Sequence, residues 1–261
     1  MHGLRLAFNY LRIGILNELQ YRANLYIQIL QTFIALGTGL IGLNLVFSQT
    51  SQLGGWVQSE LLAVMGVFIM MGGIIRSAIQ PNMQRLMEEI REGMLDYALT
   101  KPADAQLLIS VREFRLWQLV DVVTGLIVLG VALAQMNWQI GVWDVLVFLS
   151  ALVMGAVLIY CFWLMITSTA FWFIRVDDIA NLFEGLYAAG RWPVGIYPTW
   201  LRLALTFLIP VAFAVTVPAE ALTGRLNLQT WLGALALTVA LFIASRALLK
   251  FGLRSYSGAS A

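Results

Sequence analysis

The chain's 261 residues are 60% hydrophobic and 11% charged, with 16 basic and 14 acidic side chains giving a formal net charge of +2. A soluble domain carries about a quarter of its residues charged, so this composition excludes a water-soluble globular protein, and so small and dispersed a positive excess excludes a nucleic-acid binder. One cysteine, Cys161, and one histidine, His2, exclude a disulfide framework, a CxxC pair and serine-triad or histidine-cluster chemistry.

At the N-terminus Leu4, Phe8, Leu11, Ile15 and Leu19 recur at spacings of three and four. Residues 3–22 are expected either to lie flat in a membrane interface as an amphipathic helix or to form a plain cytoplasmic extension. Arg5 and Arg12 on this mixed segment do not make a signal peptide. A helix crossing a ~30 Å hydrocarbon core needs about 20 apolar residues, and six segments qualify, at about 24–47, 56–75, 116–134, 145–174, 201–219 and 231–249. In the first, GTGLIG (37–42) matches the dinucleotide fingerprint GxGxxG. No strand pattern precedes it, so its small residues are expected to permit close helix packing instead. No GxxxxGK[ST] phosphate loop exists, so the chain is expected to have no ATPase motif of its own, nor any catalytic, cofactor-binding or metal-binding residue.

Between the second and third spans, about 80–113, charge is concentrated: RLMEEIREGMLDYALTKPAD (85–104) carries eight charged residues in 20. Met83, Leu86 or Met87, Ile90 and Met94 recur at helical spacing, with Asn82 a candidate N-cap, Gly93 weakening the last turn and Lys101 and Pro102 supplying a stop. The apolar stripe of this short helix, edged by Glu88, Glu89, Arg91 and Glu92, needs a surface to bury it. Packing on the membrane is one reading; anionic headgroups would repel so acidic a face, which favours a groove on another protein.

Asp121 is the only acid well inside a span. It needs a partner or a wet surface. Either it snorkels toward the cytoplasm or hydrogen-bonds Gln118 and Thr124 on its own face, or it faces the entrance of a conduit and attracts cationic amphiphiles. The fourth span is long enough that it must tilt, break or emerge. Residues 183–200, with Trp192 before Pro193 and Tyr197 before Pro198, are expected at the cytoplasmic interface. In the fifth span Pro210 marks a possible kink. Fifteen Lys and Arg fall on one side of this topology and only Arg225 on the other, which predicts both termini cytoplasmic.

The order of elements, together with EIREGMLDYALTKP (89–102) and GRWPVGIYPTWLRLALTFLIPVAFAVTVPAEALTG (190–224), resembles the membrane subunit of bacterial type-2 ABC exporters, the ABC-2 permeases, in their drug and xenobiotic export branch. The resemblance implies an all-α polytopic fold over 1–261, with an interfacial N-terminal helix, six spans and a cytoplasmic coupling helix. It implies a half-transporter in the bacterial inner membrane, paired with a second permease subunit as homodimer or heterodimer. A separate ABC ATPase subunit would hold ATP and Mg²⁺ and drive export of an amphiphilic small molecule or lipid-like substrate. Glu88, Glu89, Arg91, Glu92, Gly93, Asp96, Leu99 and Pro102 would couple to that ATPase. Relatives carry re-entrant outer helices between spans five and six, for which the 218–230 loop is short; either the outer half of a kinked fifth span forms them or the span boundaries differ. The rival reading is an ion-coupled secondary transporter or channel, for which Asp121 alone supplies an intramembrane acid.

Overall fold

The computed structural model describes residues 12, 14–16, 18–96, 100, 104–136, 141–173 and 178–256, with side chains omitted at 178–181. Most of the expected interfacial helix, as well as Leu99 and Pro102, lies outside the described residues. Those described form an all-α polytopic membrane fold. Five helices among them are long and apolar enough to cross a membrane: α1 (Arg22–Phe47), α2 (Gln58–Arg91), α4 (Leu116–Met136), α5 (Val142–Phe171) and α9 (Leu228–Ser255). Shorter helices are α3 (Ala105–Ser110), α6 (Asp178–Ala188, continued by a tight turn Ala189–Arg191), α7 (Thr199–Leu208) and α8 (Ala212–Leu222).

Helix α2 departs most from the sequence expectation. The second span was expected to stop near residue 75 and a separate helix to start after Pro81, but one helix of 34 residues runs through both, about 51 Å long at 1.5 Å per residue. Proline is accommodated by a widened turn, Ile75–Ile79, closed by the Gln80 N–H on the Ile75 carbonyl. Pro81 has no N–H to give to the carbonyl four residues back, that of Ser77. The Arg115 N–H takes that carbonyl at 2.9 Å. Asn82 is therefore no N-cap. The helix ends at Gly93, whose φ of +71° suits glycine, with Met94 N–H on Glu89 O at 2.9 Å and Gly93 N–H on Ile90 O at 3.3 Å, the paired bonds of a Schellman terminus.

Helix α2 is the most buried of the long helices and packs closely on α4. A Cβ on Gly125 would stand 2.5 Å from Met70 N and 2.6 Å from Gly66 O, and one on Gly73 2.8 Å from Val122 N. Only glycine allows these backbones to touch. In GTGLIG, Gly39 meets Met65 of α2, whereas Gly37 and Gly42 have nothing within 4 Å.

The two ends of the bundle differ. One carries the short connections, including 48–57 and 223–227; the other carries the long connection 92–115, Glu18 beside Trp117 (Nε1 to Glu18 O, 3.1 Å) and Leu95 beside Tyr256 (Leu95 N to Tyr256 OH, 3.1 Å). Residues 183–200, expected at the long-connection end, instead climb through the bundle. Phe183 lies against Phe162 and Trp163, Tyr187 donates to Phe68 O at 2.8 Å, and Ile196 sits over Gly54 in a short connection. Pro193 and Pro198 break the helix without reversing it: the extended residues Trp192 and Tyr197 flank a tight turn, Val194–Ile196, and the chain keeps its direction. The expected fifth span, 201–219, is bent at Pro210, the position at which a kink was one of the two expectations. It is two helices, α7 and α8, bent by 78°, because Pro210 forces Ile209 into an extended conformation (φ −121°, ψ 101°). From that bend α8 passes Gly155 of α5 and returns to Arg225, which donates to Glu60 (2.8 and 2.9 Å) and to Gly55 O (2.8 Å). Both ends of the α7–α8 pair thus adjoin the 48–57 connection.

Candidate functional site

Two regions gather the charged residues. The first is the end of α2 and the connection after it. Asn82, 2% exposed, holds that connection with four bonds: its amide group donates to Ala78 O (2.6 Å) and Glu113 O (2.8 Å), and its carbonyl accepts from Arg112 N and Glu113 N (2.9 Å each). All four of its hydrogen-bonding capacities are used, as a buried amide requires. Beside it Glu89 accepts two bonds from Arg112 Nη1 (2.6 and 2.7 Å) and one from Arg85 Nε (3.1 Å), and Arg85 also pairs with Glu113. Farther along, Asp104 caps α3 through Leu107 N (3.2 Å) and pairs with Arg246 of α9 (2.8 Å). Burial raises the Asp104 carboxyl's pKa, but these bonds outweigh it and hold the group below the usual aspartate range. Gln106 and Ser110 of α3 reach the Tyr160 hydroxyl of α5 at 3.2 and 2.7 Å.

The expected coupling residues therefore divide. Glu89 turns inward as a brace. Glu88, Arg91, Glu92 and Asp96 are exposed around the Gly93 turn, with Met94 57% exposed beside them. Sequence reading missed Asn82, Arg85, Arg112, Glu113 and Arg246 as members of this assembly. The spacing of Arg85 and Glu89, an i,i+4 pair, could have flagged one of its ion pairs; the bonds that join separate elements link residues 23 to 142 positions apart, beyond any local pattern.

The second region surrounds Asp121, 5% exposed. Its partner is Arg76, at 2.7 Å, a residue expected in the charged connection but located within α2. Thr32 and Gln28 of α1 donate to the other carboxylate oxygen, Gln28 at 3.2 Å. Gln118 accepts from Arg76 Nε (3.3 Å) and donates to Gln28 (2.8 Å). Thus Gln118 enters through Arg76, and one closed network links α1, α2 and α4. The network borders a cavity of about 320 Å³ whose far wall is α6, with Glu184, Tyr187 and Arg191. Glu184 accepts from Gln80 at 3.3 Å, and Tyr187 stacks on Phe68 with ring centroids 4.9 Å apart.

A family model described as "ABC-2 family transporter protein" matches residues 33–260. No curated protein and no solved structure matches the chain.

Proposed function

Because the chain belongs to the ABC-2 family of transporter proteins, as a membrane-embedded permease component served by an ABC ATPase, we propose that it is one half of an ATP-driven exporter of amphiphilic or lipid-like molecules. In this reading two permease subunits, identical or not, enclose the path in a bacterial inner membrane, and partner ATPases hold ATP and Mg²⁺. The long-connection end faces the cytoplasm. Moving Arg202 to the short-connection end and Arg191 into the bundle, where it counts for neither side, leaves a basic bias of thirteen to two, which still favours this orientation. The segment from α6 to Ile196 is then the fifth crossing, and the α7–α8 pair, with both ends at one side, is the re-entrant feature of the family.

The observation that carries the coupling reading is the brace on α2. A push on the exposed Glu88–Glu92 surface reaches Asn82, the Ser77 carbonyl and the Arg76–Asp121 pair through an unbroken helix and buried bonds, with no loop to absorb it. Reversing Glu88 and Glu92 to lysine changes the outward charge while leaving Glu89 in place. The doubly substituted protein should insert normally yet fail to co-purify with its ATPase or to support ATP-dependent export. Gly93→Pro, which destroys the Schellman terminus, should do the same. Full ATP-dependent export by both variants would remove this surface from the coupling role.

A further inference from the structure

Arg191 reads as a loop charge in the sequence, but it lies inside the bundle. Its neighbour Gly190 packs so closely that a Cβ there would stand 2.5 Å from Val211 Cγ1 and 3.7 Å from Phe68 Cδ2. The Arg191 guanidinium carbon is 5.8 Å from the centre of the Phe68 ring. Phe68 is ten residues into α2, about 15 Å along the helix from the short-connection end, which is near the midplane of a ~30 Å core. An arginine at that depth is costly unless paired or wet, and marks a site of function.

The other charges around the cavity are committed or distant. Arg76 holds Asp121. Glu184 accepts from Gln80 and stands seven residues before Arg191, roughly 10 Å away along α6. Among the described residues no carboxylate is within ion-pair distance of Arg191, whose ring contact with Phe68 satisfies the cation's face but not its five N–H donors. The cavity therefore ends in an uncommitted planar cation over an aromatic stack, with Ala35, Ile69 and Ala188 as the apolar part of an otherwise polar wall. Its complement is a carboxylate, sulfonate or phosphate, which a guanidinium binds with two parallel bonds, carried on an apolar tail.

We propose that Arg191 is the anion-recognising residue of a membrane-embedded cavity that takes amphiphiles with an anionic headgroup. That such a ligand is transported cargo rests on the exporter reading; that it binds does not. The same headgroup chemistry could come from cargo or from a resident anionic lipid, and the experiment separates them. The permease in phosphatidylcholine nanodiscs is titrated with 11-(dansylamino)undecanoic acid and with its uncharged amide, reading dansyl fluorescence. The acid should bind about tenfold more tightly than the amide, consistent with a charge-assisted contact. Arg191→Gln should erase the preference without lowering thermal stability, and Arg191→Lys should keep part of it. A preference that survives Arg191→Gln overturns the proposal. In vesicles with the ATPase partner, ATP-dependent transport of the acid should fall about tenfold in Arg191→Gln while the amide is unaffected. If phosphatidylglycerol displaces the acid and the acid is not transported although the amide is, the site holds lipid and the cargo assignment is overturned. ATP-dependent transport of neither probe, with the binding preference intact, would count against the exporter reading and leave anion recognition standing.

Discussion

The Arg76–Asp121 pair makes a sharp demand on energetics. Removing one partner of a buried ion pair costs ~3–5 kcal/mol, because a bare charge is left behind. The two partners are not equally buried: the side chain of Asp121 is 7% exposed and that of Arg76 33%. Arg76→Gln strands a carboxylate with only Thr32 and Gln28 to serve it, and should cost the full ~3–5 kcal/mol. Asp121→Asn leaves a guanidinium that can draw water from the adjoining cavity, and the asparagine oxygen can still accept from Thr32. That change should cost about 1.5–3 kcal/mol, the range of one charged hydrogen bond. The double substitution leaves no unpaired charge and should fall at least ~2 kcal/mol short of the sum of the single effects. Unfolding of the purified proteins in mixed micelles by increasing SDS fraction, followed by tryptophan fluorescence, reads all four corners of the cycle. Arg76→Gln no worse than Asp121→Asn, or additivity to within ~0.5 kcal/mol, would refute the asymmetric buried pair.

Helix crossing predicts a contrast among glycines: Gly125→Leu should force α2 and α4 apart and abolish the monodisperse peak in size-exclusion chromatography, whereas Gly130→Leu, with nothing within 4 Å of its Cβ position, should leave it intact. Chain direction predicts a labelling pattern in a Cys161→Ser background: Gly195→Cys and Gln52→Cys should react with an impermeant maleimide outside intact cells, and Gln84→Cys only after permeabilisation. Labelling of Gly195→Cys from the inside would return 183–200 to the cytoplasmic face.

The spans that could be read in the sequence are those in which composition alone decides: long apolar runs such as 24–47 and 231–249 have no other stable fate in lipid. Where the structure diverges, a proline or an isolated charge suggested a boundary that tertiary contacts override. Pro81 looked like a helix start because its cost is visible locally, whereas the remedy, Arg115 on the Ser77 carbonyl, is 38 residues away. Arg191, with prolines following at 193 and 198, resembled a loop; its helix is short, and the rest of the climb is made of tight turns, Ala189–Arg191 and Val194–Ile196, joined by the extended Trp192, too broken for an apolar window to detect. The candidate site shows the same limit. Asp121 could be recognised as an acid in need of a partner, but its partner had been counted with the charged connection because Arg76 closes an apolar run. Glu89 and Glu92 were alike by sequence, and only the position of Arg112 makes one a brace and the other part of the surface.

The bond between Arg115 and the Ser77 carbonyl also bears on how the chain is made. When α2 leaves the ribosome it presents the Ser77 carbonyl and the Arg76 guanidinium unpaired and the Asn82 amide with only Ala78 O, and the remaining partners of all three lie among residues 112–121. Translation at about 5–20 residues per second separates Asn82 from Asp121 by roughly 2–8 s. For that interval the second helix is an unfinished part, able to enter the bilayer by its first half but bound to keep its second half hydrated. Insertion of α4 then completes α2, so this turn closes only once residues synthesised after it have arrived.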